Sequence, residues 1–395
     1  MLDVDVLKYL YKESVKKFIR ENQIEFNLEV SDDRLVELFN NIDNNENKQR
    51  FLVNELLYGM QRNVYISKIN EDGHNFNNIN DIIQYITNLT EYTNDLELVN
   101  EEFISDDIGR NIDSGEKKLL YYSIDMDENK VNIILAEGIR EGQIEELEGL
   151  SVYYSITIDL QNLFLIIRMR NMESENKYYK VDNYYENMKR YISDRMRIEL
   201  IRNDDIYYRT TLYNIVDYVN NTVLTNFYAE ISDLIQPSIE EFVNGCNTLL
   251  DEYELTNEDN NVIIESIRNS YCKMMSQNRL NNLTVNEIKD IYNVDGYANR
   301  VTFEDDSIGN TRVKSETVRN SLLNTTTFYD IKASMERGRN IKEANIQWLN
   351  ENNERINTVF NNERQGKFKV VIKNNYFNER MDNYVLQKIV QYSPR

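Results

Sequence analysis

Several residue types are scarce in this 395-residue chain, and each scarcity excludes a kind of segment or site. Two prolines and twelve glycines leave no proline-rich or glycine-rich linker, so any domain boundary consists of other polar residues. The sequence also contains no GxGxxG, Walker A, GxSxG, HExxH or EF-hand motif. Nucleotide binding by a glycine-rich loop, hydrolysis by a nucleophile elbow and zinc proteolysis are therefore not expected.

Histidine and cysteine are almost absent. The single histidine, His74, lies in an Asn-, Asp- and Gly-rich stretch that we predict to be a turn. One histidine excludes a His-rich zinc site, and a Ser-His-Asp or Cys-His mechanism would depend on His74 alone. The two cysteines, Cys246 and Cys272, lack metal-site spacing. We interpret them as reduced thiols, which favours a cytoplasmic location.

Long apolar runs are also missing. The longest candidate, residues 162–169, is far shorter than the ~18 residues of a membrane span. Residues 1–22 lack the apolar core of a secretory signal. With 41% hydrophobic residues, the chain can nevertheless bury a sizeable core, so we expect a folded cytoplasmic protein without a membrane partner.

Acidic residues dominate the charge balance. The chain has 67 Asp and Glu residues against 45 Lys and Arg residues, which gives a net charge of −22. Nucleic-acid binding needs local positive potential, so this balance disfavours nucleic acid as a partner without excluding one basic stripe. It favours high solubility or a partner with a basic face.

The hydrophobic periodicity is helical in the first part of the chain and then changes to that of strands. Apolar residues recur at helical spacing over 4–19, and Ser31 has the position of a helix cap. Period-two patterns then predict two hairpins, formed by residues 119–126 with 130–136 and by 150–158 with 163–169. The nearly continuous apolar run of the last strand predicts that it is covered on both faces.

Helical spacing returns after this sheet. We predict helices over 212–234 and 239–253, the second beginning at Pro237, because proline is tolerated in the first turn. Two further strands are predicted over 300–303 and 326–333, and a helix over 341–360.

These patterns predict an α+β fold in three segments. They are an N-terminal helical region (1–116), a central antiparallel sheet of about four strands followed by long helices (117–280), and a mixed C-terminal segment (281–395).

One catalytic pattern lies in the C-terminal segment. Asp306 follows the predicted strand over 300–303, and Asp330 and Lys332 lie on the next predicted strand. Because alternate residues of a strand share a face, two carboxylates there could hold Mg²⁺ while the lysine orients the attacking water. The spacing resembles that of nucleases of the restriction-endonuclease type. It predicts, as one alternative, a Mg²⁺-dependent nuclease with these three residues at its centre.

A second alternative is a nucleic-acid-binding module. The predicted helix after residue 181 carries Lys189, Arg190, Arg195 and Arg197 interleaved with tyrosines. Cations and aromatic rings on one face could contact phosphates and bases. Neighbouring acids such as Glu186 could equally neutralise these cations.

The hypothesis we favour is a non-enzymatic protein-binding subunit of a larger complex, with no cofactor. Its partner would be another protein or a second copy of the chain. The chain holds 28 tyrosines, a residue type that is enriched at protein interfaces. Asn-, Ile- and Tyr-rich composition is typical of AT-rich genomes and suggests bacterial antiviral defence, or phage–host conflict, as the context.

Overall fold

The computed structural model describes residues 1–27, 29–74, 79–89, 102–139, 151–171, 181–201, 205–249, 256–280, 283, 285–305, 309–317, 319–362 and 367–394. They divide into two compact units. The first unit comprises Met1–Asp204 and Arg364–Val385, and the second comprises Asp205–Glu363 and Leu386–Arg395. Both units contain helices and an antiparallel sheet, so the predicted α+β fold is confirmed.

The described residues include ten α-helices. They are α1 (Lys12–Glu21), α2 (Asp32–Asn40), α3 (Asn45–Asn54), α4 (Ile79–Ile86), α5 (Val181–Met196), α6 (Asp205–Leu249), α7 (Asn257–Leu280), α8 (Val285–Tyr292), α9 (Thr326–Gly338) and α10 (Glu379–Tyr392). A π-helical segment, Glu55–Gly59, directly continues α3.

The described residues also include twelve strands. They are β1 (Asn63–His74), β2 (Glu102–Ile104), β3 (Lys117–Asp125), β4 (Lys130–Gly138), β5 (Ser151–Asp159), β6 (Phe164–Met169), β7 (Ile198–Leu200), β8 (Gly296–Asp305), β9 (Gly309–Lys314), β10 (Ile341–Leu349), β11 (Arg355–Asn361) and β12 (Phe368–Ile372).

The sheet of the first unit contains both predicted hairpins and is larger than the predicted four strands. Its order is β2-β3-β4-β5-β6-β1-β12, and β7 pairs with the far end of β1. The hairpins close at the pairs Asp125↔Lys130 and Asp159↔Phe164. The sheet extends further because β1 and β12, from distant parts of the sequence, pair with each other and continue it from β6.

The middle of this sheet is covered on both faces. Every residue of β5 and β6 is buried, which confirms the prediction for β6. On one face, Tyr154 and Ile156 join an apolar cluster with residues of α5. On the other, Tyr153 packs against Tyr9, with ring centroids 4.9 Å apart. Each large apolar side chain buried in this way contributes about 1.5–3 kcal/mol to stability.

The N-terminal helices follow the sequence prediction in part. The helical spacing over 4–19 corresponds to a short 3-10 helix, Val6–Tyr9, and to α1, which begins only at Lys12. Ser31 caps α2, since its Oγ accepts a hydrogen bond from the Arg34 backbone N–H at 3.3 Å. The expected turn at His74 is wrong, because β1 continues to that residue and pairs it with Ile198.

The second unit has a four-stranded sheet of order β11-β10-β8-β9. The helix predicted over 341–360 is wrong, because these residues form the β10–β11 hairpin. Burial alternates along β11, where Ile356, Thr358 and Phe360 are buried and the residues between them are not. The turn is fixed by Asn350, whose Oδ1 accepts the backbone N–H of Glu354 at 2.8 Å.

Two further predictions in this unit are wrong. The strand predicted over 326–333 belongs to helix α9, whose buried Phe328 and Met335 lie two turns apart on one face. The helix predicted to begin at Pro237 does not begin there, because Pro237 lies inside α6, a single helix of 45 residues. Pro237 is exposed, and inside the helix it removes one backbone donor and crowds the carbonyl group one turn earlier.

Candidate functional site

The proposed nuclease residues are not arranged as the strand interpretation requires. Asp330 and Lys332 lie on α9, and residues two apart on a helix point to different sides. The Asp330 carboxylate contacts the Lys273 amine at 2.8 Å, and Lys332 pairs with Glu336 one turn further along the helix. Asp306 lies outside the described residues, so the sharing of one ion with Asp330 stays a prediction.

Lys332 instead belongs to a charged group between α9 and α6. Asp217 on α6 is half-buried, and burial raises the pKa of its carboxyl group, with a further increase from the negative charge of Glu336. The Lys332 charge acts in the opposite direction. In the part of the chain that the structure describes, no three His, Cys, Asp or Glu side chains are placed to hold a metal ion together.

The four cations of α5 and its C-terminus point in several directions. Helical geometry separates Arg190 from Arg195 by about 140° around the axis. Lys189 pairs with Glu186 at 2.9 Å. Arg195 and Arg197 instead lie over aromatic rings, those of Tyr191 and Tyr85, at 5.5 and 5.6 Å from the ring centroids.

Glu186 also neutralises a second cation, because the Lys367 amine lies 3.4 Å from its carboxylate. Arg190 is exposed to solvent. Nucleic-acid binding by this helix stays a prediction.

The two cysteines and the histidine lie on three different elements. Cys246 is a half-buried free thiol on α6. Cys272 lies on α7 and His74 ends β1, but their side chains are outside the described part of the structure.

An ion pair that the sequence analysis missed lies in the interior of the first unit. Arg168 on β6 contacts both carboxylate oxygens of Asp382, from Nε at 3.0 Å and from Nη2 at 2.5 Å. Both side chains are only 2% exposed. Arg168 also donates from Nη1 to Thr157 Oγ1 at 2.8 Å, and the Thr157 hydroxyl donates to Asn132 Oδ1. Because these donors and acceptors have partners within the protein, the network fixes α10 on the sheet.

A second buried charge lies at Glu55, the first residue of the π-helical segment. Its Oε2 accepts the Tyr11 backbone N–H at 2.9 Å and thereby caps the first turn of α1. Burial raises the pKa of the Glu55 carboxyl group, and this hydrogen bond partly offsets the increase. Glu55 therefore has a structural role.

The exposed apolar residues are concentrated on α6 and α7. Fifteen large hydrophobic side chains are exposed among the described residues, and nine of them lie on these two helices. The most exposed include Leu249 at 86%, Met274 at 65% and Phe242 at 62%. Because monomeric soluble proteins seldom expose large contiguous apolar patches, the arrangement of these side chains on the two helices is relevant to function.

Helices α6 and α7 form an antiparallel pair, which we call the hairpin. Near its outer end Asn247 donates to Asn260 Oδ1 at 2.9 Å. Further from that end Gln236 bonds with Arg268, and Glu230 pairs with Arg279. Residue numbers thus rise on one helix as they fall on the other.

Some of the exposed apolar side chains of the hairpin lie on one side of it, whereas others, such as Leu234 and Val262, point elsewhere by helical spacing. Val243 is buried and lies one turn from Asn247, which contacts α7, so we place it in the seam between the helices. Ile264 follows the seam residue Asn260 by one turn. Phe242 and Ile263 each directly precede one of these seam residues. In an antiparallel pair, residues with this placement on the two helices lie on the same side.

Other exposed or half-exposed apolar residues continue the two rows at helical spacing. We call the resulting set the apolar stripe. It consists of Phe242, Leu249, Ile263, Ile267, Tyr271 and Met274.

No protein-family model matches the sequence, and no match was found among curated proteins or solved structures. None of the described helices is long and apolar enough to cross a membrane.

Proposed function

We propose that this chain is a protein-binding subunit of a larger complex and that the apolar stripe of the hairpin is its binding surface. The observation that carries the proposal is the exposure of large side chains on one side of two packed helices. Phe242 and Tyr271 are 62% and 52% exposed, and burying such rings against a partner is the main source of energy at protein interfaces.

The local packing supports this choice of surface. Val243, next to Phe242, is only 3% exposed, so the two helices already have a seam that holds them together. The stripe lies beside that seam, and its members Phe242, Leu249 and Met274 are exposed. An apolar residue that contributes little to the fold is available for a partner.

The experiment compares co-purification of wild type with that of the double variant Phe242→Gln/Tyr271→Gln. The full chain carries an affinity tag and is isolated from the cells that naturally produce it, with quantitative mass spectrometry of the bound proteins. Glutamine retains helix propensity, and both sites are exposed, so we expect the thermal unfolding midpoint to change little. Proteins that bind the stripe are expected to be lost from the double variant.

Met126→Gln is the matched control. Met126 is 45% exposed in the turn between β3 and β4 of the first unit. The substitution therefore removes an exposed apolar side chain that lies outside the hairpin. Proteins lost from the double variant should remain bound to this control. The same set of proteins on all three chains, or no stoichiometric partner on wild type, would overturn the proposal.

A further inference from the structure

The hairpin surface combines apolar side chains with an excess of negative charge. Among the side chains that the structure describes on residues 230–249 and 256–280, six carboxylates outnumber three cations. The carboxylates are those of Glu230, Glu240, Glu241, Glu258, Asp259 and Glu265. Each cation contacts a carboxylate, since Arg268 lies 2.7 Å from Glu265, Lys273 lies 2.8 Å from Asp330, and Arg279 pairs with Glu230.

The shape of the surface favours a helix as its occupant. Two antiparallel helices leave a groove along their seam, and a third helix packs into such a groove with apolar residues at positions i, i+3, i+4 and i+7. The stripe borders this groove on both sides, with Phe242 on α6 and Ile263 and Tyr271 on α7.

We infer that the occupant of the hairpin is a basic amphipathic helix of a partner protein, an inference that rests on the proposed function. Its apolar face would cover the stripe, and its Lys or Arg residues would lie near the carboxylates of the hairpin, such as Glu241. Opposite charge on the two surfaces increases the association rate and excludes partners of the wrong sign.

The same charge argues against two other occupants. A second copy of the chain would bring two acidic hairpins together, and like charges across an interface repel each other. An anionic membrane surface also repels an acidic hairpin, since membrane-bound amphipathic helices typically carry Lys and Arg on their polar face.

The test uses the full chain and three synthetic peptides, with affinities measured by fluorescence anisotropy. The first peptide has leucines at helical spacing and lysines on its other face. The second has glutamate in place of each lysine, and the third has the composition of the first in a scrambled, non-amphipathic order. We expect the first peptide to bind at least on the order of tenfold more tightly than the other two.

Variants show whether the peptide binds at the hairpin. Phe242→Gln/Tyr271→Gln is expected to weaken binding of the lysine peptide on the order of tenfold or more, while Met126→Gln leaves it unchanged. Glu241→Lys is expected to weaken it by a smaller factor, and added salt to reduce affinity further. Equal binding by the scrambled peptide, or no effect of the double variant, would mean attraction by net charge alone and would overturn the inference.

Two further outcomes separate this inference from the proposed function. If native partners are lost from the double variant but the lysine peptide does not bind, the protein-binding function stands and the basic helix is wrong. If sedimentation shows a dimer that the double variant lacks, the occupant is a second copy. Binding of the hairpin to phosphatidylglycerol vesicles would likewise replace the helix by a lipid surface.

Discussion

Arg168 and Asp382 are 214 positions apart in sequence and form a bidentate ion pair in the interior of the first unit. Each charged side chain is almost fully buried, so each depends on the other, and Arg168 depends also on the hydroxyl of Thr157. Burying two opposite charges together adds little net stability, but leaving one of them alone is costly.

Arg168→Ala or Asp382→Ala is therefore expected to lower the free energy of unfolding by about 3–5 kcal/mol, because one charge remains buried without a partner. The double variant Arg168→Met/Asp382→Leu should lose much less. Urea denaturation of the three variants measures this difference.

The control is Lys8→Ala, which breaks an exposed pair with Asp5 and should cost no more than about 1 kcal/mol. If the double variant is as unstable as either single variant, the lost free energy of unfolding does not come from leaving one buried charge without its partner.

Glu55 should make stability depend on pH. Burial holds the pKa of its carboxyl group above the ordinary value, so the folded chain binds more protons than the unfolded chain at this site. Stability is therefore lost as the pH rises from the unfolded pKa, about 4.3, through the raised folded pKa. Glu55→Gln stays neutral and lacks this contribution.

We expect the difference in unfolding free energy between wild type and Glu55→Gln to decrease as the pH rises above about 4.3. Urea unfolding at several pH values gives this difference directly. A constant difference for Glu55→Gln would contradict the expectation.

Substitution by alanine should change the stability of the fold in opposite directions at Gly138 and at Gly245. At Gly138 a Cβ atom would lie 2.0 Å from the backbone oxygen of Asp113, whereas at Gly245 it would meet nothing within 4 Å. Gly138→Ala should cost at least about 1–3 kcal/mol, since backbone must move. Gly245→Ala, inside α6, should gain about 0.5–1 kcal/mol. Thermal unfolding of both variants tests the pair, and a stable Gly138→Ala chain would show that the approach to Asp113 is not tight.

The elements that sequence reasoning predicted correctly are those whose pattern is local. The β3–β4 and β5–β6 hairpins have period-two apolar residues next to short polar turns, and Ser31 has the position of a helix cap. In each case, neighbours in sequence supply the partners. The strand β1 has no such signal, because it lies between β6 and β12 and its partners are 96 or more positions away, counted from the pair Lys68↔Phe164.

The wrong predictions have the same cause. Residues 341–360 contain apolar residues at spacings that also suit a helix, and pairing of β10 with β8 selects the strand. Residues 326–333 are rich in Thr, Phe and Tyr, which favour strands locally, but Phe328 and Met335 are buried together in a helix. Tertiary packing outweighs local propensity in both segments.

The proposed binding surface could be predicted only in part. Tyrosine content and acidity suggested a protein partner with a basic face, but sequence does not show which apolar residues stay uncovered. Phe242 and Val243 are adjacent on one helix, and only the packing of α7 distinguishes the exposed one from the buried one. The proposed nuclease residues depended on a strand that α9 replaces.

The length of α6 determines where a partner would be held. Helix α6 contacts β8 and β10, and beyond Leu224 only Ile239 and Val243 are buried among its described side chains. From Leu224 to Leu249 the helix rises by roughly 38 Å. A molecule seated near the outer end would thus be carried at the end of a lever, where a small rotation about the base becomes a displacement of several ångströms.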